Sequence, residues 1–175
     1  MALAPGTTPL PMNRASLFCR NSRAMHALPA TSPEHYLTGT SAMAIPSPDT
    51  PFVDWHFVDT FLEGKASFRV AGNNFPDTSA LLGNHGIHEC SGTLRRHGVP
   101  LPPDRGFYAA NRDRALLDLI VSNLQQARRP DHLRLEDYCD NEADGLPLRA
   151  QLQSLRDRLD DASQRRLLDE WLAQQ

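Results

Sequence analysis

Four side chains that can ligate a metal ion or act in catalysis fall within one short segment: His85, His88, Glu89 and Cys90. Imidazole, carboxylate and thiolate groups are the usual zinc ligands. The spacing H-x-x-H-x-C matches no structural zinc pattern, however, and no C-x-x-C pair accompanies it. On a strand Glu89 would face away from its neighbours, and on a helix Cys90 would point away from His85. The segment therefore predicts a ligand or partner surface, with a zinc-dependent enzyme as an alternative and no metal assigned.

A second alternative makes Cys90 the nucleophile of a small hydrolase, with a nearby histidine as its base. Gly86 and Gly92 would let a backbone N–H approach the reacting carbonyl. No acidic residue stands at a recognisable distance to orient the histidine, and a free cysteine is commonly a small buried apolar residue. We therefore assign no catalytic residue and expect a protein that is not an enzyme.

The segment from Asp140 to Gly145 resembles the first half of a calcium-binding loop, with oxygen-bearing side chains followed by a glycine at the expected offset. The second half does not fit. Pro147 occupies the central apolar position, and Gln151 replaces the glutamate that closes such a loop. The pattern is more typical of a turn before a helix, so we expect neither a calcium site nor a cofactor.

The pair Trp55–His56 is a further candidate. Trp55 falls on an apolar stripe with Val58 and Leu62, for which packing in the core is the expected role, while His56 lies off that stripe. If this helix borders a groove, His56 and the 84–90 loop line it together. The candidate ligand- or partner-binding residues are therefore Trp55, His56, His85, His88, Glu89 and Cys90.

Short helices and strands must position these side chains. A helix is predicted over residues 51–63, capped by Thr50 and ended by Gly64. Period-two alternation predicts a strand over residues 66–70. Residues 78–99 are compatible with either short strands or short helices, because glycines interrupt any longer element there.

The strongest helix begins at Asn111 and carries an apolar stripe so broad that the helix should be nearly buried; Pro130 ends it. The charges at its start, Arg112 to Arg114, are expected on the surface. Leu133 and Leu135 indicate a short strand. From Pro147 onward, regularly spaced leucines predict two helices or one kinked helix, with the break at Asp160–Asp161. The predicted fold is α+β: a single domain over residues 50–175, with a small sheet packed by several helices and a helical C-terminus.

Residues 1–49 are predicted to form a disordered tail. The first fifty residues carry seven of the fourteen prolines and only five charged side chains, so they bury little apolar surface against their chain entropy. Two other interpretations stay open. In one, translation starts at Met43; in the other, the tail is an export leader of the type III kind, which would make the protein a secreted effector.

Composition narrows the class of protein. The formal net charge is −3, which does not favour direct nucleic-acid binding. The three cysteines do not form a secreted disulfide framework, and no apolar run is long enough to span a membrane. A single lysine, Lys65, against seventeen arginines suggests a GC-rich bacterial genome. We expect a cytoplasmic protein whose amphipathic C-terminal region packs on its own core, with a partner surface or homodimer contact as the alternative.

The segment WHFVDTFLEGKASF (residues 55–68), followed by GNNFPDTSALLGNHG (72–86), resembles the RsaM-type proteins. These are small proteobacterial regulators that restrain acyl-homoserine-lactone quorum sensing, and the resemblance covers about residues 52–175. It implies a non-enzymatic regulator of gene expression with an α+β fold and no obvious DNA-binding element; it assigns no functional residue. The predicted function is therefore non-catalytic regulation of quorum-sensing gene expression, exerted through a protein partner or a small-molecule ligand.

Overall fold

The computed structural model describes residues 28–46, 53–139 and 142–175. Four short strands form one mixed sheet in the order β2–β1–β4–β3. The strands are β1 (Leu37–Thr38), β2 (Arg69–Val70), β3 (Ile87–Glu89) and β4 (Tyr108–Ala110). Strand β1 pairs antiparallel with β2 and parallel with β4, and β3 pairs antiparallel with β4. The strand predicted over 66–70 is thus present but shorter, and the open stretch 78–99 holds one strand between two helices.

Helices surround this sheet and make up the C-terminal part of the fold. They are α1 (Thr40–Met43), α2 (Trp55–Phe57, continued as a π-helix over Val58–Leu62), α3 (Ser79–Leu82), α4 (Ser91–Arg96), α5 (Arg112–Gln125), α6 (Glu142–Arg158) and α7 (Ala162–Leu172). The predicted α+β domain with a helical C-terminus is confirmed. Within the described ranges, no helix has the length and apolar character to cross a membrane.

Helix α2 was predicted correctly as an element but with the wrong face inward. Asp54 caps it by accepting a hydrogen bond from the backbone N–H of Phe57 at 3.0 Å; the predicted cap, Thr50, lies outside the described residues. Phe57 and Phe61 are buried, whereas Trp55 is 66% exposed. Phe57 and Phe61 lie four residues apart and form the buried face, whereas the predicted stripe ran through Trp55 and Leu62. From Val58 the helix continues as a π-helix, in which Glu63 N–H donates to the Val58 carbonyl at 2.9 Å.

Helix α5 is the buried centre of the domain. Asn111 caps it as predicted, accepting from Arg114 N–H at 2.9 Å. Ten of its fourteen residues are buried. One of them is Arg114, so the prediction that this charge lies on the surface is wrong. The helix ends at Gln125, before Pro130, and Ala127 adopts a positive φ of 53° in the following turn.

The C-terminal helices pack against α5. Helix α6 begins before Pro147, which lies in its second turn, and the predicted break at Asp160–Asp161 separates it from α7, which Asp161 caps. The strand predicted at Leu133 and Leu135 is absent; Leu133 is a buried residue in an irregular segment, and a 3-10 turn spans Leu135–Asp137. The candidate calcium loop begins with Asp140 and Asn141, which lie outside the described residues.

The predicted boundary of the tail requires correction. Tyr36 is 1% exposed, and Leu37 and Thr38 are fully buried, so residues 28–46 belong to the fold. Strand β1 lies inside the sheet, between β2 and β4. The proline-rich composition of the surrounding sequence concealed a two-residue strand that is stabilised from both sides. Residues 1–27 lie outside the described part of the chain.

Two apolar clusters meet at α5. One lies around the sheet and includes Phe57, Leu94 and Phe107, and Ala115 of α5 belongs to it. The other joins the rest of the apolar face of α5 to α6 and α7 and includes Trp171, whose indole N–H donates to the Leu133 carbonyl at 3.0 Å. Because α5 contributes to both clusters, the sheet and the C-terminal helices form a single domain.

Candidate functional site

The predicted cluster at residues 85–90 is spread along β3 and its flanking turns. His85, His88 and Glu89 are exposed, whereas Cys90 is buried. Among the residues that the structure describes, no three histidine, cysteine or acidic side chains come together in a way that could hold a metal ion. The zinc-enzyme alternative therefore has no ligand set in this part of the chain.

Glu89 has a structural task at the corner between β3 and α4. Its carboxylate accepts hydrogen bonds from the hydroxyl of Ser91, from Ser91 N–H at 2.9 Å and from Phe107 N–H at 3.3 Å. These bonds, with the Ser91 hydroxyl first, hold the pKa of Glu89 below its ordinary value. Arg95 extends the chain of contacts, donating to the Ser91 hydroxyl at 3.3 Å and to the Pro102 carbonyl at 2.6 Å. Glu89 thus anchors α4 and β4 to each other.

Cys90 is unsuited to nucleophilic catalysis. Its side chain is 3% exposed, and its Sγ–H donates to the Phe107 carbonyl at 3.3 Å. Burial, and secondarily the charge of Glu89, raises the pKa of the thiol to about 12. Because the thiolate is the nucleophile, a thiol held neutral in this way is unreactive near pH 7. Cys90 behaves as a small buried residue at the end of β3.

The most connected polar group in the described chain is one that the sequence did not reveal. Arg114 is 2% exposed and Asp118 is fully buried, and Arg114 Nε donates to Asp118 Oδ1 at 2.9 Å. Asp118 Oδ2 accepts from the hydroxyls of Tyr36 at 3.0 Å and Thr38 at 2.6 Å, and Oδ1 accepts from Thr78 at 2.5 Å. Each carboxylate oxygen therefore accepts two hydrogen bonds.

The guanidinium of Arg114 is equally saturated. Its Nη1 donates to the Gly83 carbonyl at 2.7 Å and the His85 carbonyl at 2.9 Å. Its Nη2 donates to the Tyr36 hydroxyl at 2.6 Å and the Thr78 hydroxyl at 3.2 Å. With the Nε bond, all five N–H groups have acceptors, which is the condition under which a buried ion pair is tolerated. We call these five residues, Tyr36, Thr38, Thr78, Arg114 and Asp118, the buried network; it joins β1, the turn before α3, the α3–β3 loop and α5.

Gly86 permits this close packing. Its φ is +78°, and a Cβ there would lie 2.7 Å from Arg114 Cβ and 2.8 Å from Asn111 Oδ1. Gly86 was considered for an oxyanion site; its observed role is to bring the α3–β3 loop against the start of α5. The glycine is required both for its backbone conformation and for its lack of a side chain.

Replacing Gly86 with alanine is therefore expected to lower the free energy of unfolding by at least about 1–3 kcal/mol, from backbone strain alone. Gly92 is the matched control, because it lies within α4 and a Cβ there would meet nothing within 4 Å. Gly92→Ala should be neutral or stabilise the protein by up to about 1 kcal/mol. Urea unfolding of the two variants measures the difference; equal midpoints would contradict the assigned role of Gly86.

Alkaline pH should weaken the fold through two buried acids. Burial, followed by the charge of Asp118, raises the pKa of Tyr36 from 10.0 to about 12, and burial raises that of Cys90 from 9.0 to about 12. In both cases the unfolded chain loses its proton first. The stabilisation is therefore complete below pH 9 and is lost as the pH rises from 9 to 12.

The free energy of unfolding, measured in urea at steps from pH 7 to 11, tests this expectation. The wild type should begin to lose stability near pH 9 and Cys90→Ala near pH 10, because the variant lacks the thiol and keeps the tyrosines, whose pKa values in the unfolded chain are near 10.0. Superimposable pH profiles would show that the Cys90 thiol does not contribute.

Exposed apolar side chains concentrate at α2. Val53 is 36%, Trp55 66% and Leu62 46% exposed. The rings of Trp55 and His56 stack at a centroid distance of 3.5 Å and an interplanar angle of 29°. We call Val53, Trp55, His56 and Leu62 the α2 surface. Among the described residues His56 has no hydrogen bond or ring contact with His85 or His88, so nothing links the α2 surface to β3 through that side chain.

A small cavity of about 140 Å³ lies between α3, α5 and α6, and His85, Arg114 and Arg158 help to line it. Arg158 donates to the Leu81 carbonyl at 2.8 Å, and Arg114 donates to the Gly83 and His85 carbonyls. Both arginines thus satisfy carbonyl groups at and after the end of α3, where the helix dipole is negative. The two arginines therefore have a structural role.

The six predicted binding residues therefore separate into different environments. Trp55 and His56 form an exposed stack; His85 and His88 are exposed without a shared ligand; Glu89 and Cys90 support the corner after β3. The sequence signal that was missed is the i, i+4 pair Arg114–Asp118 on a helix predicted to be nearly buried. Comparison with protein-family models, curated proteins and solved structures finds no match for this chain.

Proposed function

We propose that this protein is a non-catalytic regulator of the bacterial cytoplasm, which restrains acyl-homoserine-lactone quorum-sensing gene expression by binding a partner protein. The observation that carries the proposal is the α2 surface. Three of the four large apolar side chains that are exposed among the described residues lie at α2; the other is Leu146. Such a concentration of exposed apolar groups on a folded domain is typical of an interaction site.

The chemistry of the α2 surface suits a protein contact. Tryptophan is among the residues that most often dominate binding energy at interfaces, because its large rigid ring buries much area at little entropic cost. The π-helical turn adds to this interpretation, since such turns recur at functional sites. Trp55, His56 and Leu62 also fall within the segment that resembles the RsaM-type proteins.

The catalytic alternative draws no support from the site geometry. A cysteine hydrolase needs an accessible, activated thiol, and Cys90 is buried with a raised pKa. A zinc enzyme needs three converging ligands, and His85, His88 and Glu89 do not converge with Cys90 in the described structure. The interaction role is therefore the function that the described residues support best.

A gene-deletion strain tests the proposal. Its homoserine-lactone output should rise and should return to normal when the full-length gene is supplied. Trp55→Ser and Leu62→Ser should fail to restore repression, because each removes an apolar anchor from the α2 surface. Leu146→Ser is the matched control, since Leu146 is 64% exposed at a distant point of the sequence, and it should restore repression fully.

Two results would overturn different parts of the proposal. Unchanged homoserine-lactone output in the deletion strain would remove the quorum-sensing assignment. Full repression by Trp55→Ser would remove the α2 surface as the contact. Thermal unfolding of each purified variant confirms that a loss of repression does not come from a loss of folding, because substitutions at exposed positions should change stability little.

A further inference from the structure

A cavity of about 480 Å³ opens between the segment after α5, the first turns of α6 and the last residues of α7's extension. The 3-10 turn Leu135–Asp137 forms one side, Gly145 and Arg149 of α6 form another, and Gln174 and Gln175 lie beside them. Its lining includes none of the six binding residues predicted from the sequence. Its volume falls within the range of about 300–1,000 Å³ that is typical of sites for small organic molecules.

The apolar part of the wall is firmly held. Leu135 is 5% exposed, and its backbone N–H donates to Gln175 Oε1 at 2.8 Å, which ties the turn to the C-terminal residues. Gly145 is buried, and a Cβ there would lie 3.6 Å from Cys139 Sγ, so the thiol lies against this turn of α6. This wall gives a short aliphatic group a fixed surface to pack on.

The polar part of the wall carries net positive charge. Among the described lining residues, two guanidinium groups, those of Arg134 and Arg149, are accompanied by one carboxylate, that of Glu136. Arg134 Nη1 pairs with Glu136 Oε1 at 3.1 Å, so these two charges offset each other. The charge of Arg149 is left in excess within the described lining. A positively charged concave wall favours an anion over a cation or an uncharged molecule.

Arg149 also has donors to spare. Its Nη2 donates to the Gln175 main-chain carbonyl at 3.4 Å, the one hydrogen bond that this guanidinium makes to another described residue. A guanidinium has five N–H groups in a planar fork and pairs with a carboxylate through two parallel bonds. Arg114 differs, because acceptors in the protein satisfy all five of its N–H groups. Arg149 can therefore take a ligand oxyanion, whereas Arg114 cannot.

A monocarboxylate fits these walls better than a phosphate does. Its single charge balances the single excess charge of Arg149, whereas a phosphate monoester carries about −1.5 to −2 at neutral pH. Its two oxygens match the guanidinium fork. The side-chain amide of Gln174 adds a further N–H donor to the same wall. An aliphatic chain on the carboxylate carbon has Leu135 to pack on.

We propose that this cavity binds a short-chain aliphatic monocarboxylate, whose carboxylate pairs with Arg149 and whose chain packs on Leu135 and the Cys139 thiol. The site shares no residue with the α2 surface, and the proposal stands independently of any role in quorum sensing.

Alkylation of Cys139 by iodoacetamide reports on the cavity directly, because this partly buried thiol belongs to its wall. The full-length chain carrying Cys19→Ser leaves Cys90 and Cys139. Cys90 is 3% exposed and has a raised pKa, so Cys139 is the thiol that reacts in the folded protein. The probe is hexanoate. Its saturable binding should slow the labelling by the factor 1 + [L]/Kd, about tenfold at ten times Kd.

Two matched probes separate the contribution of the carboxylate from that of the chain. Hexanamide keeps the chain without the charge and should bind about three- to tenfold more weakly than hexanoate. Acetate keeps the charge without the chain and should protect at least several-fold less. Raising the ionic strength from about 0.01 M to about 1 M shortens the Debye length from about 30 Å to about 3 Å, so it should weaken the binding of hexanoate far more than that of hexanamide. Equal or stronger binding of hexanamide would overturn the proposal.

Substitutions of opposite sign test the charge balance. Arg149→Met keeps the aliphatic stem and removes the charge, so hexanoate should then bind no better than hexanamide does. Glu136→Gln removes the opposing carboxylate and should tighten hexanoate binding about two- to fivefold. Arg165→Met, at an exposed position of α7 outside the cavity, should behave as wild type. Binding of hexanoate to Arg149→Met with the wild-type Kd would overturn the proposal.

An NMR titration of the backbone amides provides a second readout, which does not depend on thiol reactivity and which locates the ligand. The amide signals of Leu135, Cys139 and Gly145 should shift saturably with hexanoate, with the Kd found by labelling. The same signals should shift more steeply in Glu136→Gln. Shifts confined to other parts of the domain would overturn the proposal, as would the absence of shifts at the highest hexanoate concentration that leaves the fold intact.

Discussion

Replacing Asp118 with asparagine is expected to lower the free energy of unfolding by about 3–5 kcal/mol, one of the largest effects available in this protein. The substitution leaves the Arg114 guanidinium, which is 2% exposed, without its counter-charge. It also turns part of the acceptor into an NH₂ donor that faces donating hydroxyls. Urea unfolding measures the loss, and the slope of the transition shows whether the variant still unfolds cooperatively.

The matched control is an exposed ion pair. Arg134 and Glu136 are joined at 3.1 Å, but their side chains are 69% and 73% exposed. Glu136→Gln should therefore cost less than about 1 kcal/mol. If Asp118→Asn cost no more than this control, the buried network would not be a principal support of the fold.

A double substitution separates the charge from the hydrogen bonds. Arg114→Met with Asp118→Leu removes both charges, so it should be less destabilising than Asp118→Asn alone. It should not restore wild-type stability, because the hydroxyls of Tyr36, Thr38 and Thr78 would remain buried without their acceptor. A fully stable double variant would show that those hydroxyls find other partners.

Local signals in the sequence predicted local features well. Asn111 caps α5, Gly64 follows α2 with a φ of 62°, and Asp161 begins α7 at the predicted break. In each case the interaction that fixes the feature spans only a few residues, so its cause is contained in the segment itself. The broad apolar stripe of α5 likewise predicted that this helix is nearly buried.

Features that depend on distant partners could not be predicted in the same way. Strand β1 is two residues long, too short to show an alternating pattern, and it exists because β2 and β4 pair with it. Arg114 looks like surface charge in isolation. Its burial depends on hydroxyls of Tyr36, Thr38 and Thr78, which lie 82, 80 and 40 residues from Asp118. A charged i, i+4 pair on a helix whose broad apolar stripe predicted burial was the available signal.

Only part of the candidate site was predicted from the sequence, and the environment predicted for Trp55 differs from the observed one. Trp55 and His56 were singled out, but the stripe that includes Trp55 pointed to core packing. The indole is in fact 66% exposed, because Phe57 and Phe61 form the buried face of α2. The residues of β3 attracted attention because histidine, glutamate and cysteine can do chemistry. Their actual surroundings separate them: a strand alternates its side chains between two faces, and the following turn buries Cys90.

A chain that begins at Met43 is expected not to reach the native fold, whereas a chain that begins at Met25 should. The shorter chain lacks β1, the strand that joins the two halves of the sheet. It also lacks Tyr36 and Thr38, two of the donors to Asp118. Burial of Tyr36 and Leu37 alone contributes about 1.5–3 kcal/mol for each side chain, so the combined loss is comparable to the total stability of a typical domain, about 5–15 kcal/mol.

Far-UV circular dichroism and urea unfolding of the two chains provide the comparison. The Met25 chain keeps every described residue and should unfold cooperatively at the midpoint of the full-length protein. The Met43 chain should show a lower helical signal and no cooperative transition, because α5 would retain Asp118 and Arg114 without the hydroxyls of Tyr36 and Thr38. A cooperative transition at the same midpoint would mean that β1 is dispensable, and it would restore Met43 as a plausible start of the functional protein. Comparing the two chains thus tests whether the domain needs strand β1 in order to fold, although β1 lies in a proline-rich part of the sequence.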